Sequence, residues 1–264
     1  MIEVHHVVKR YKVKQQSESK SWFSNLFKDE YKTVTAVQDI SFHIEKGEMV
    51  GLIGLNGAGK TTTLKMLAGL IHPSEGWIDV NGFVPKELKK DYLKEIGLVM
   101  GNKSQLWWDI SANDSFELEG HIYGLKEKEI EQKVKELATL LDVRNLLRTP
   151  VRKLSLGERM KMELILVLLH EPSILLLDEP TIGLDIISQN KLREFIKLYN
   201  KEHQATMMIT SHNMKDIEQL CEKVIVIDHG TVIYDGQIED LKTYSQEENF
   251  EEIIAKLLEG GQTR

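Results

Sequence analysis

The sequence holds one cysteine in 264 residues, Cys221, which cannot close an internal disulfide and suits a reducing compartment. Packing on an apolar helix face is its expected role. No His, Cys, Asp and Glu spacing marks a metal cluster. Basic charge is also scarce: 34 Lys and Arg against 41 Asp and Glu leave a net charge of −7. No overall positive field draws such a chain to DNA or RNA, so no nucleic-acid partner is expected. The longest uninterrupted aliphatic run, Leu164 to Leu169, falls far short of the roughly 20 residues that cross a bilayer. Met1 to His6 lacks a basic leader followed by an apolar signal core. A soluble chain is expected, for which any membrane work requires a partner.

A hydrophobic fraction of 41% is ample for a buried core in one large or two small domains. Val4, Val7 and Val8 near Tyr11, then Ile40, Phe42 and Ile44, predict short strands. Met49 to Ile53 predicts a further strand, Gly54 to Thr61 a glycine-rich loop, and Thr61 to Leu70 a helix. Trp77 to Val80 reads as a strand between turn signals. From about Asp109 to Arg148 the period turns helical, a separate lobe within about 102–170. Ser155 and Glu158 predict a capping box on the helix carrying Met160, Leu164, Val167 and Leu168. A buried strand at Ile174 to Glu179, a helix, a strand at Met207 to Thr210, a helix through Leu220 and a hairpin turning at Asp228-His229-Gly230 complete a βα alternation. That alternation predicts an α/β fold with a parallel-rich sheet covered by helices. No internal repeat is visible.

Two segments stand apart. Residues 12–34 form a polar interruption in which Trp22, Phe23, Leu26 and Phe27 fall on one side of a short helix. Contact with a membrane surface or a membrane partner and a flap over the protein's own sheet all fit. At about 246–260, Phe250, Ile253, Ile254, Leu257 and Leu258 predict an amphipathic final helix, for packing or for a regulatory or dimer contact.

The chemistry concentrates in a few places. In Gly54-Leu55-Asn56-Gly57-Ala58-Gly59-Lys60-Thr61, glycines let successive N–H groups converge on phosphate oxygens, and the helix that follows aims its positive end there. Strand, loop and helix in that order are the context a phosphate loop requires. Lys60 would neutralise β/γ-phosphate charge, Thr61 would hold Mg²⁺ and Thr62 would add a phosphate contact. Asp178 and Glu179 end an aliphatic strand: Asp178 suits Mg²⁺, Glu179 the orientation or deprotonation of an attacking water. His212, at the end of another strand, would bond the γ-phosphate and help hold Glu179.

These elements, with Leu154-Ser155-Leu156-Gly157-Glu158 about one helix before the acidic strand, resemble the nucleotide-binding subunits of ATP-binding cassette (ABC) transporters over nearly the whole chain. The resemblance implies a P-loop NTPase with a RecA-like core, an antiparallel β-subdomain and a helical subdomain, in a single domain spanning 1–264. It implies ATP and Mg²⁺ as ligands, a second ABC ATPase subunit as partner, and integral-membrane permease subunits at the cytoplasmic face of the membrane. In that family the signature segment reaches across a dimer, so Ser155 and Gly157 would touch the partner's ATP. Tyr11 falls where an aromatic stacks on adenine, and Gly183-Leu184-Asp185 where a loop crosses the dimer.

Two departures stand out. The signature is usually Leu-Ser-Gly-Gly-Gln; here Leu156 replaces the first glycine and Glu158 the glutamine, which implies tuned contact rather than a dead site. The family's lid glutamine, a Mg²⁺ ligand after a strand like Gly97 to Met100, is absent from its place, leaving Gln105 as the candidate. Trp107 and Trp108 read either as core anchors or as contacts to a membrane subunit. Leu154 to Met160, Gln105 to Asp109 and Glu179 to Asp185 look similar to bacterial drug and antibiotic exporter ATPases. A soluble cassette ATPase that assembles cofactors or remodels macromolecules is the rival reading.

Overall fold

A computed structural model describes residues 1–14, 31–101, 103–244 and 249–261. Strands β1 (Ile2–Lys14) and β2 (Tyr31–Ile44) pair antiparallel. β3 (Met49–Ile53) runs through the glycine loop into α1 (Lys60–Leu67), and β4 (Glu75–Val80) returns to pair with β1. A short α2 (Lys90–Glu95) precedes β5 (Ile96–Met100). Helices α3 (Ala112–Ile122), α4 (Glu127–Leu140) and α5 (Leu156–Leu168) then pack on one another. The chain continues through β6 (Ile174–Asp178), α6 (Ile186–His203), β7 (Thr206–Thr210) and α7 (Met214–Leu220). The hairpin of β8 (Lys223–Asp228) and β9 (Thr231–Gln237) leads to α8 (Ile238–Tyr244) and α9 (Phe250–Gly261).

Among the described residues the strands form one sheet in the order β4-β1-β2-β9-β8-β3-β7-β6-β5. Its β8-β3-β7-β6-β5 part is parallel, while β1, β2 and β4 make an antiparallel wing. Strands β6 and β7 are buried along their whole length, as central parallel strands covered on both faces must be. The two-residue periodicity divides the apolar side chains: Leu175 and Leu177 face the core built with α3 to α7, Ile174 and Leu176 the core built with α1 and the wing. Leu52 pairs with Thr210 and Thr210 with Asp178, so β3, β7 and β6 end level with one another. Side chains leaving that edge converge there, which makes it the place for a site.

Several expectations need revision. The first two strands are long rather than short and carry register shifts near Val7 and Lys9. The interruption at 12–34 is narrower, because pairing continues to Lys14 and resumes at Tyr31; Trp22, Phe23, Leu26 and Phe27 lie outside the described residues. The final helix packs: Phe250, Ile253, Ile254 and Leu258 are buried. Cys221 is buried as expected, and burial pushes its thiol far above the ordinary range, making it unreactive. Trp107 and Trp108 are not core anchors; they are 61% and 52% exposed.

Candidate functional site

The glycine loop joins β3 to α1 through Gly59, the helix N-cap, at φ +110°. A Cβ there would lie 2.8 Å from the Ala36 carbonyl oxygen, so both conformation and space demand glycine. Asn56 and Gly57 are exposed, Gly54 half-buried, and Ala58 folds under the loop. The first turn of α1 presents Lys60, Thr61 and Thr62, with its unpaired N–H groups facing the loop. Lys60 Nζ donates to the carbonyls of Gly54 at 2.7 Å and Leu55 at 3.2 Å. Burial lowers its pKa below the ordinary lysine value, opposed by the negative charges of Glu179 and Asp178. A cation held over a cradle of N–H groups is the arrangement that receives a polyphosphate.

Thr61 Oγ1 donates to Asp178 Oδ2 at 3.0 Å, joining the helix start to the end of β6. Asp178 Oδ1 accepts from Thr210 Oγ1 at 2.7 Å, which fixes the carboxylate's orientation. A hydroxyl and a carboxylate side by side are hard oxygen donors. With substrate oxygens and water they fit Mg²⁺, which takes few protein ligands.

Glu179 follows with φ +55°, a left-handed conformation that costs about 1–3 kcal/mol for a residue with a side chain. Its N–H donates to both the carbonyl and the Oγ1 of Thr210, each at 3.1 Å, and these bonds to β7 hold the turn. The carboxylate is thereby directed to His212, whose Nε2 lies 2.8 Å from Glu179 Oε1. Lys60, Thr61, Asp178, Glu179 and His212, drawn from three stretches of chain, thus meet at the strand edge. Tyr11 lies half-buried on β1, and the Lys9 ammonium stands 5.1 Å from its ring centroid.

Gln105 does not join this group. Its Nε2 donates at 2.6 Å to the carbonyl of Leu98, two residues before the end of edge strand β5. The cause is Glu163 of α5, a carboxylate 3% exposed that takes the Gln105 N–H at 2.9 Å, the Leu106 N–H at 3.3 Å and the Ser104 hydroxyl. Burial raises the Glu163 pKa above the ordinary carboxylate range, those three donors opposing the shift.

Ser155 caps α5 as expected: Glu158 N–H donates to its Oγ at 3.3 Å, while Glu158 Oε2 accepts from Ser155 N and Oγ, both at 2.8 Å. Leu156 has ordinary helical φ, and its side chain lies against Gly183. A Cβ on Gly157 would stand 2.5 Å from Leu184 Cδ2, so glycine lets the two segments touch. Asp185 caps α6 by accepting the Ile187 and Ser188 N–H groups, each at 3.0 Å; the Ser188 hydroxyl and these amides hold its carboxyl below the usual range. Ser155, Gly157, Glu158 and Asp185 line a cleft of about 400 Å³, and none of its lining residues comes from the phosphate loop.

Thr210, Thr181, Asp216, Arg193 and Glu163 escaped sequence reasoning. Their roles depend on partners distant in sequence, and only the Thr-Ser-His order around Thr210 offered a signal.

A family model described as "ABC transporter" matches residues 37–182. The ABC transporter ATP-binding protein NatA of Bacillus subtilis is 40% identical over 238 residues, 90% of this chain and 96% of that one. The bacitracin transport ATP-binding protein BcrA of Bacillus licheniformis is 34% identical, covering 80% of this chain and 68% of that protein. The solved structure of an ATP-binding subunit of an ABC transporter superposes with a TM-score of 0.79 at 24% identity, over 97% of this chain and 98% of that one. A dimeric post-hydrolysis ATP-binding cassette bound to ADP and phosphate superposes at 0.76 with 22% identity, over 90% of this chain and 98% of that one; both show a shared fold.

Proposed function

The chain belongs to the ABC transporter family as an ATP-binding and ATP-hydrolysing subunit, and from that premise we propose that it works as one half of a head-to-tail pair. The observation that supports this reading is the separation of the two half-sites: Ser155 and Gly157 line a cleft that contains no residue of the phosphate loop. In this reading they serve a nucleotide held by another chain.

In this reading the loop from Gly54 to Thr62 cradles the phosphates of ATP, Lys60 spreads its charge over the β- and γ-groups, and Tyr11 stacks on the base. Mg²⁺, when bound, would offset the charge of the phosphates, and Thr61 and Asp178 are the residues that would hold it. Gln105 reaches that place only after releasing the Leu98 carbonyl. Glu179 takes a proton from the attacking water as the new bond to the γ-phosphorus forms and the bond to the bridging oxygen of ADP breaks. His212 holds Glu179 in line and bonds the γ-phosphate. The second chain contributes Ser155, Gly157 and the loop at Asp185. Positioning and electrostatics supply most of the acceleration.

No helix among the described residues is long and apolar enough to cross a membrane. In this reading transport takes place through separate integral-membrane subunits, with this chain at the cytoplasmic face of the membrane. The exposed Trp107 and Trp108 form the contact, a composition typical of interface anchors. Export is the favoured direction, since similar proteins carry the names of bacitracin transport and linearmycin resistance. Isolation of the chain from gently solubilised membranes tests this: co-purified integral-membrane subunits are expected, and recovery solely with soluble proteins overturns it.

A further inference from the structure

Asp216, on α7, is 1% exposed. Its Oδ2 accepts from Thr181 Oγ1 at 2.5 Å and from Ser211 Oγ at 2.9 Å. Its Oδ1 accepts from Arg193 Nη1 of α6, whose Nη2 donates to Asn190. Thr181, Ser211 and Arg193 are themselves buried.

The position of these hydroxyls in the chain gives the cluster its meaning. Thr181 follows Glu179 by two residues, across Pro180, and Ser211 immediately precedes His212. One carboxylate oxygen thus ties together the two turns whose side chains meet at 2.8 Å in the site. Ser211 Oγ also accepts the Asn213 N–H at 3.0 Å, so the turn carrying His212 is held on both sides of the histidine. A buried ion pair is a poor way to gain stability, because desolvation offsets most of the attraction. It is a good way to fix direction: the guanidinium sets the carboxylate's rotation, and charge-assisted hydrogen bonds to both turns are the stronger kind.

We propose that Asp216, held by Arg193, is a positioning residue for hydrolysis, setting the Glu179–His212 contact by gripping Thr181 and Ser211 on one oxygen. This rests on the reading of Glu179 and His212 as the hydrolytic pair. Misplacement of a reacting group by about 1 Å costs on the order of 100-fold in rate, so loss of the grip acts on turnover rather than on nucleotide binding.

The test uses the full chain in single-turnover ATPase assays, which read residual rates far below wild type, with ATP affinity measured separately. Thr181→Val with Ser211→Ala removes both donors and leaves the Asp216–Arg193 pair. The expected result is a rate lower by about 10- to 100-fold with affinity within about 2-fold, and retention of rate by Thr181→Ser. In a His212→Ala background the same two changes should cost less than about 3-fold, because the contact they set is already gone. Ser211→Ala alone, a milder change, carries the same comparison where the pair fails to fold. Equal losses in both backgrounds, or an unchanged rate with His212 present, overturn the inference. Glu179→Gln separates it from the underlying reading: an active Glu179→Gln chain sinks that reading, whereas an inactive one beside a fully active double variant sinks this inference alone.

Discussion

His212 Nε2 stands 2.8 Å from Glu179 Oε1, with the imidazole half exposed and the carboxylate about one quarter exposed. A carboxylate that merely capped the following helix would need neither the left-handed backbone of Glu179 nor the two bonds from its N–H to Thr210. The strained turn is held by β7, and its effect is to present the acid beside the imidazole at the mouth of the phosphate loop.

Removing the charge of Glu179 should therefore separate binding from hydrolysis. Glu179→Gln is expected to bind MgATP within about 3-fold of wild type, and to lose on the order of 100-fold or more in turnover. It should accumulate as an ATP-dependent dimer in size-exclusion chromatography. Wild-type turnover would remove Glu179 from the mechanism.

The signature variant makes a second prediction. Ser155 Oγ donates to Glu158 Oε2 at 2.8 Å, so the hydroxyl expected at a neighbour's phosphate is engaged by an anion. Glu158→Gln keeps an acceptor for the helix cap while removing the charge, and should tighten ATP-dependent self-association several-fold in sedimentation equilibrium. Glu158→Ala, which loses the cap, should cost about 1 kcal/mol of stability. Identical association constants for wild type and Glu158→Gln would place the carboxylate away from the partner's nucleotide.

The phosphate loop, the acidic strand, His212 and the capping box were legible in the sequence, because each is local: a strand, a turn and a helix start written in consecutive residues. The parallel-rich sheet was legible in the βα alternation, whereas the level ends of β3, β7 and β6 came only with the strand register. What stayed hidden is pairing over distance. Nothing in the sequence around Glu163 indicates that it collects the Ser104 hydroxyl and the Gln105 and Leu106 amides, or that this leaves Gln105 on the Leu98 carbonyl. Of the two readings open for the tryptophans, the core one fails for a similar reason: aromatic pairs usually mark a core, but here the core position is taken by Leu106, 5% exposed, just before them.

Glu163 carries a pH prediction. Its folded-state pKa is raised, first by burial, so the folded chain keeps the proton to higher pH than the unfolded chain. The protonated form's contribution to stability is full below the ordinary carboxylate pKa and is lost as pH rises through the raised value. Glu163→Gln removes this loss. Its melting temperature relative to wild type should rise between pH 5 and pH 8 by about 2 °C or more. A constant difference over that range would show that Glu163 ionises as freely folded as unfolded.

The exposed tryptophans separate coupling from folding. Arg159 of α5 lies with its guanidinium carbon 5.5 Å from the Trp108 ring centroid, one helical turn from Ser155. Trp107→Ala with Trp108→Ala should leave the basal ATPase rate of the isolated chain within about 2-fold. Stimulation by the membrane subunits should fall by about 10-fold, the loss of roughly 1.4 kcal/mol of interface energy. Equal losses in both assays would mark the pair as structural.

Whether Ser155 and Gly157 complete the site of a second chain is decided by complementation. A Lys60→Ala chain keeps its signature and lacks a working phosphate loop; a Ser155→Tyr chain has the reverse defect. Each alone should be inactive. Mixed in equal amounts, they should recover ATPase activity, because the pair contains one complete site made from the loop of one and the signature of the other. Continued inactivity of the mixture, with both chains folded and associating, would show that Ser155 and Gly157 do not complete a second chain's site.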